Sequence, residues 1–160
     1  MNYTKSNGKR RVVVTGAGML TALGRDWAEA SEKLKSGKNC IKRMPDWDRY
    51  TRMNTRLACP YEGEIPHFPR KKIRGMGRVA LLSLVATNDA LKMAGFLNAE
   101  EDDVIEELKN GRTGISYGSC MGSMDAIVDM CEMLQTGDTS KIDSQTYIKC
   151  MPSPTQAKRD

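Results

Sequence analysis

The sequence is short of the residues on which most familiar catalytic and metal sites depend. It has one histidine, His67, and its five cysteines include no Cys-x-x-Cys pair. A classical zinc site needs closely spaced cysteine or histidine ligands, so we expect no metal. A Ser-His-Asp or Cys-His arrangement would have to use His67. That residue stands between Pro66 and Pro69, where we expect an exposed loop histidine.

Long apolar stretches are also missing. The longest nearly apolar run, Val79–Ala86, is far shorter than the roughly 20 residues that a membrane span needs. The basic N-terminus has only three consecutive valines before a turn, too few for the apolar core of a secretory signal. We therefore expect a cytoplasmic protein with free thiols and no membrane partner.

The composition does suit a folded domain. Apolar residues make up 39% of the chain and charged residues 28%, and a length of 160 residues fits one domain or part of a larger one. The net charge of +5 favours an acidic partner without requiring nucleic acid. No nucleic-acid partner is therefore predicted.

The spacing of apolar residues predicts strands and helices in an α/β order. The predicted strands are Arg10–Thr15, a short segment within Arg56–Tyr61, and Arg112–Ser119. The predicted helices are Asp26–Ser36, the mostly buried Arg78–Ala94, the short exposed Ala99–Leu108, and Ser123–Leu134. This order favours a three-layer α/β architecture.

The first predicted strand runs into Gly16-Ala17-Gly18, which we call the GAG turn. Glycine turns between a strand and a helix can hold phosphate on backbone N–H groups. The dinucleotide pattern, however, needs a third glycine where Thr21 stands, and the Gly-Lys-Ser/Thr of a P-loop is absent. The turn is therefore predicted to be a structural crossing, and no cofactor is expected. A nucleotide-binding α/β domain stays open as a third interpretation.

Four segments, taken together, resemble a known family. They are VVVTGAGMLTALG (12–24), Trp27 with LKSGKNCI (34–41), KKIRGMGRVALLSLVATNDALKMAG (71–95) and GRTGISYGSCMGS (111–123). In order and spacing they resemble the N-terminal half of the β-ketoacyl-acyl-carrier-protein synthases. The resemblance implies a three-layer αβα N-terminal half of a thiolase-like fold, incomplete in this chain. It also implies the decarboxylative Claisen condensation of acyl and malonyl thioesters in fatty acid or polyketide biosynthesis.

The family's reaction uses a cysteine nucleophile at a helix N-terminus and two histidines. By the resemblance, these follow Asp160, so no catalytic residue is predicted here and we expect the chain to be inactive alone. Cys120 precedes a predicted helix, but it aligns with a family glycine that does no chemistry. After Met151-Pro152 the sequence departs from the family pattern.

Two groups of residues are implied by the resemblance to carry function. Met121 and Cys150 align with positions that line the family's acyl-chain pocket, with ordinary core or interface packing as the alternative. The second group aligns with the segment that docks the acidic acyl carrier protein, with a solvated surface as the alternative. It comprises Arg70, Lys71, Lys72 and Arg74.

The expected organisation is a flexible tail at 1–9, the β-ketoacyl synthase half-domain at 10–152, and a tail at 153–160 that departs from the family pattern. An incomplete fold would leave a sheet edge and an apolar helix face uncovered, so we expect a homo-oligomer. The alternative function is a non-catalytic dimerisation or carrier-protein-binding subunit on the same half-fold.

Overall fold

The computed structural model describes residues 8–98 and 103–151. The helices are α1 Trp27–Lys35, α2 Arg78–Met93, α3 Met124–Thr136 and α4 Thr146–Cys150, with 3-10 helices at Pro45–Arg49 and Glu106–Leu108. The strands are β1 Lys42–Arg43, β2 Leu57–Ala58, β3 Leu97–Asn98 and β4 Asp103–Val104. β1 pairs antiparallel with β2, and β3 pairs antiparallel with β4.

Both predicted tails lie largely outside the described residues. Within the described ranges, no helix combines the length and apolar composition needed to cross a membrane.

The three longer helices lie where the apolar spacing predicts them. α1 begins after Asp26, whose carboxylate accepts a hydrogen bond of 2.8 Å from the N–H of Glu29, and ends two residues before Gly37. α2 ends one residue earlier than predicted, and α3 continues two residues beyond Leu134. The short strand predicted within Arg56–Tyr61 is β2. Local sequence signals therefore specify these elements.

The two predicted core strands, Arg10–Thr15 and Arg112–Ser119, are not formed in the described structure. Apart from a single bridge at Arg10, neither segment is assigned as strand. Val12 is 93% exposed and Ile115 is 67% exposed. A strand needs a hydrogen-bonded neighbour, and its apolar faces need layers to pack on. The β-branched residues favour a strand, but the described residues do not supply the hydrogen-bonded neighbours and packing layers that a strand needs.

The predicted exposed helix Ala99–Leu108 is wrong at 103–105, and only a short 3-10 helix forms within the rest of its described part, 106–108. Asp103 and Val104 form β4, and a 3-10 helix follows from Glu106. The N–H of Ile105 donates to the carbonyl of Phe96 at 3.1 Å, so pairing with the segment after α2 replaces helical hydrogen bonds. Antiparallel pairing with a neighbouring segment here overrides a helical charge pattern.

α2 is the element on which the described fold is assembled. No residue from Val79 to Leu91 is classed as exposed, and Ala80 and Val85 are each only 2% exposed. Arg25, just before α1, forms a bidentate ion pair with Asp89 of α2, with Nε at 2.8 Å and Nη2 at 2.9 Å from the two carboxylate oxygens. The hydrogen bonds to Asp89 raise the pKa of Arg25. The pair ties the start of α1 to α2.

The GAG turn lies directly against the backbone of α2. A Cβ on Gly16 would collide with the carbonyl of Ala90 and lie 3.1 Å from the Cβ of Ala94. A Cβ on Gly18 would collide with the carbonyl of Ala86 and lie 2.9 Å from the amide nitrogen of Ala90. These glycines are therefore required by close packing, which supports the interpretation of the turn as a structural crossing.

Replacing Gly18 with alanine should destabilise the chain by about 1–3 kcal/mol, because the added methyl forces the GAG turn away from α2. Urea unfolding followed by circular dichroism measures the change. Gly114 is the matched control: it has nothing within 4 Å of the position of its Cβ. Gly114→Ala should change stability by less than about 0.5 kcal/mol. Superimposable curves for Gly18→Ala and wild type would contradict the close-packing role.

Candidate functional site

The loop Gly118–Ser123, which we call the α3 entry loop, is docked on the end of α4. The N–H of Ser123 donates to the carbonyl of Lys149 at 2.9 Å. A Cβ on Gly122 would collide with the backbone of Lys149 and Cys150. Because Met121 precedes Gly122 in the chain, this contact places Met121 beside the C-terminal end of α4. The structure thus brings the segments of the two candidate pocket residues, Met121 and Cys150, together.

Sulfur-containing side chains characterise this corner of the molecule. The Cys150 thiol is half-buried and donates to Sδ of Met130, on α3, at 3.3 Å. Met121 is 48% exposed, and its carbonyl accepts a 2.7 Å hydrogen bond from the Ser119 hydroxyl. Methionine is flexible and polarizable, and it adapts to irregular apolar shapes. The chemistry of the corner therefore suits an apolar chain of variable shape.

The apolar spacing does not predict α4, the helix that presents Cys150. The signal in the sequence is the pair Asp143 and Thr146. The Asp143 carboxylate accepts hydrogen bonds from the N–H groups of Gln145 and Thr146, both at 2.8 Å, and the N–H of Asp143 donates to the Thr146 hydroxyl at 3.0 Å. This reciprocal arrangement resembles a capping box. The bond from the Gln145 N–H, followed by the Thr146 hydroxyl, lowers the pKa of Asp143.

A second candidate feature, the basic turn Arg70–Gly75, lies against the same helix. Gly75 has a φ of +82°, and a Cβ there would come within 2.5 Å of Oε1 of Gln145 and 3.8 Å of Cγ2 of Ile148. Its candidate docking residues are all exposed: Arg70, Lys71, Lys72 and Arg74. The basic turn and the Cys150 corner therefore share α4 as their support.

The other chemically interesting side chains stay separate. His67 is exposed in the proline-flanked loop, as predicted, and Cys120 is exposed in the α3 entry loop. Across residues 8–98 and 103–151, no hydrogen bond joins either side chain to a potential catalytic partner. This geometry lacks the nucleophile–base contact that covalent catalysis uses.

Sequence reasoning missed an open cleft of about 550 Å³ between α1 and the β1–β2 region. Its charged lining is already paired. Lys33 contacts Glu29 at 2.7 Å, and Lys42 contacts Glu62 at 2.5 Å. No motif identifies such a cleft, because its walls come from separate segments.

Comparison with known proteins decides the family. Residues 9–155 match the family described as "Beta-ketoacyl synthase, N-terminal domain". The chain belongs to this family. The family prediction made from the four segments is therefore confirmed.

One curated relative is the chloroplastic 3-oxoacyl-[acyl-carrier-protein] synthase II of Arabidopsis thaliana. It is 33% identical over 133 residues, and the match covers 79% of this chain and 23% of the relative. Nodulation protein E of Rhizobium leguminosarum bv. trifolii is 33% identical over 145 residues, covering 90% of this chain and 34% of the relative. This chain thus spans about a quarter to a third of these proteins.

Solved structures support the fold. A crystal structure of a β-ketoacyl synthase from Burkholderia phymatum STM815 has a TM-score of 0.79 and 41% identity, covering 89% of this chain and 34% of that one. The ishigamide ketosynthase/chain length factor, at 21% identity and a TM-score of 0.56, shares the fold. The fold class, part of a thiolase-like α/β fold, is therefore confirmed, although the two predicted core strands, Arg10–Thr15 and Arg112–Ser119, are not formed in the described residues.

The lowered pKa of Asp143 predicts how the stability of α4 depends on pH. Its carboxylate should stabilise the fold fully above the ordinary value of 3.8 and lose this effect as pH falls through the lower folded value. Asp143→Ala should therefore melt at a lower temperature than wild type at pH 7, with the gap closing below about pH 3.8. Thermal unfolding at pH 7, 4 and 3 measures this. Asp46→Ala, at an exposed site, should show no such gap. A gap for Asp143→Ala that does not vary with pH would contradict the capping role.

Proposed function

We propose that this chain is the N-terminal part of a 3-oxoacyl-[acyl-carrier-protein] synthase of fatty acid or polyketide biosynthesis. The supporting observation is the docking of the α3 entry loop on α4, which gathers the segments of Met121 and Cys150 in a chain of the β-ketoacyl synthase family. In this proposal, both side chains form part of the wall of the acyl-chain pocket. Their sulfur atoms and apolar surfaces suit a flexible aliphatic chain.

The basic turn is the proposed docking surface for an acidic acyl carrier protein. Its four cations are exposed, and the names of several relatives include acyl carrier protein. Exposed charges of one sign steer an oppositely charged partner mainly through the association rate. The contacts of the basic turn and of the α3 entry loop with α4 support the proposal that the docking surface and the pocket wall belong to one structural unit.

Carbon–carbon bond formation, in this proposal, depends on residues beyond these 160. A condensing site needs an activated nucleophile and an oxyanion site within hydrogen-bond reach of one another. His67 and Cys120 are exposed in separate loops. This chain therefore contributes binding surface and scaffold, and the family's nucleophile and histidines act from outside it.

A second candidate is a non-catalytic dimerisation or carrier-protein-binding subunit on the same half-fold. The exposed, separate positions of His67 and Cys120 are compatible with this candidate as well. The two candidates differ in what a supplied C-terminal part would do. It would restore condensation in the first case and leave the mixture inactive in the second.

The proposal includes self-association and a cytoplasmic location. Val12, Val13 and Val14 are 93%, 65% and 89% exposed, and such apolar surface favours association. Sedimentation velocity at two concentrations checks this, and a monomer at both would overturn it. The cysteines, all free thiols in the described residues, fit a reducing compartment.

We expect no covalent acylation and no ketoacyl product when this chain alone is incubated with radiolabelled acyl-carrier protein and malonyl-carrier protein. Gel autoradiography and product chromatography measure both. Adding a separately purified C-terminal part of a related synthase should restore condensation if the first candidate is correct. An acyl adduct on the chain alone, abolished by Cys120→Ala or Cys150→Ala, would contradict the assignment of catalysis to other residues.

The double variant Lys71→Glu/Arg74→Glu should weaken carrier-protein binding at least about tenfold and flatten its salt dependence, because two attractions become repulsions. Surface plasmon resonance at several salt concentrations measures this. Lys35→Glu/Lys38→Glu is the matched control, since it makes the same charge change at two other exposed positions. Equal weakening by both variants would identify a general charge effect and contradict docking at the basic turn.

A further inference from the structure

Ser123 has an unusual hydrogen-bonding arrangement for a serine that begins a helix. It is the N-cap residue of α3, a position where a serine side chain ordinarily accepts from its own helix. Here the hydroxyl makes no cap bond within α3. Ser123 is only 3% exposed, so the hydroxyl is directed into the protein.

The hydroxyl of Ser123 lies at the N-terminus of α2 instead. The N-cap residue of α2 is Gly77, which has no side chain to offer. The N–H of Val79 donates to the Ser123 hydroxyl in a long hydrogen bond of 3.5 Å. A Cβ on Gly77 would collide with that same hydroxyl, so the glycine leaves the space that the serine occupies.

The backbone of Ser123 makes a third connection. Its N–H donates to the carbonyl of Lys149 at 2.9 Å, one residue before Cys150. The Cβ of Lys149 also lies 3.6 Å from the position of a Cβ on Gly77. The ends of α2, α3 and α4 therefore meet at this one residue, in what we call the serine junction: Gly77, Gly122, Ser123 and Lys149.

We propose that Ser123 is a positioning residue for the acyl-binding site: its hydroxyl caps α2 from α3, and this cross-connection holds Met121 and Cys150 in place. The acyl-binding role of Met121 and Cys150 rests on the proposed function. The positioning of these two residues by Ser123 does not depend on it. Because the basic turn leads through Gly75 into Gly77, the junction also fixes the docking surface relative to the pocket wall. Loss of the hydroxyl should loosen α4 locally without unfolding the chain.

The test measures the alkylation rate of each cysteine by iodoacetamide, with peptide mass spectrometry. In Ser123→Ala, Cys150 should react about two- to fivefold faster than in wild type, since loss of one ordinary net hydrogen bond corresponds to about fivefold and this bond is long. Cys40 should keep its rate, since its half-buried thiol is held elsewhere, on the carbonyl of Ala22 at 3.0 Å. Ser31→Ala is the matched control, because that hydroxyl bonds only within α1. It should leave Cys150 unchanged.

A second variant separates positioning from simple helix capping. Ser123→Gly/Gly77→Ser moves the capping hydroxyl onto the N-cap residue of α2 and empties the space that its Cβ needs. This variant should restore the unfolding midpoint of the wild type, while the alkylation rate of Cys150 stays as high as in Ser123→Ala. If Ser123→Ala unfolds globally, the alkylation rate of Cys40 also rises. The alkylation rate of Cys150 in the swapped variant is then the measurement that tests the inference.

Two results would overturn the inference: an unchanged Cys150 rate in folded Ser123→Ala, or wild-type protection of Cys150 in the swapped variant. The labelling needs neither acyl chain nor carrier protein. Its failure would therefore leave the proposed function standing, and failure of carrier binding would leave this measurement intact.

Discussion

The rest of the structure depends on the close approach of the GAG turn to the backbone of α2. At Gly16 and Gly18, two backbones lie so near that no side chain fits between them. Close backbone contact brings many atoms together, and dispersion between them is collectively large. The same helix receives Arg25 through Asp89 and the Ser123 hydroxyl at its N-terminus. α2 therefore aligns the segments before and after it.

A second set of glycine contacts organises the candidate site in the same way. Gly75, Gly77 and Gly122 each lie where a Cβ would press on α4 or the α3 entry loop. These contacts join a charged surface to a sulfur-lined corner through one short helix. Close packing of this kind transmits displacement rather than absorbing it, because protein interiors have low compressibility. The basic turn and the segment of Met121 are therefore mechanically connected through α4.

The exposed valines show the limit of what the described residues can support. Val12 and Val14 are almost fully exposed, although their sequence is typical of a buried strand. The matched part of this chain covers only 34% of the solved β-ketoacyl synthase from Burkholderia phymatum STM815. A strand needs at least one hydrogen-bonded neighbour, and a strand as apolar as this one needs layers on its faces to bury its side chains. The local sequence favours a strand, but a strand forms only where other segments pair with it and cover it.

The sequence by itself determined the three longer helices, α1, α2 and α3, and the family. Asp26 caps α1, the alanine and valine spacing produces α2, and four ordered segments identify a β-ketoacyl synthase N-terminal domain. These signals lie in neighbouring residues or in the order of segments along the chain, so the sequence alone reveals them. The basic turn and the Met121–Cys150 pair were also indicated, by resemblance, although their functional roles are still predictions.

Only the tertiary structure decided which residues meet. It placed a strand at Asp103–Val104 within the predicted helix, beside the hydrogen bond from Ile105 to Phe96. It also showed that the glycines of the GAG turn serve helix packing, and that the Ser123 hydroxyl faces α2 rather than its own helix. No local pattern could indicate these contacts. The contacts of the GAG turn and of the Ser123 hydroxyl with α2 depend on the distance between segments far apart in the chain, and that distance is set by the packing of the whole fold.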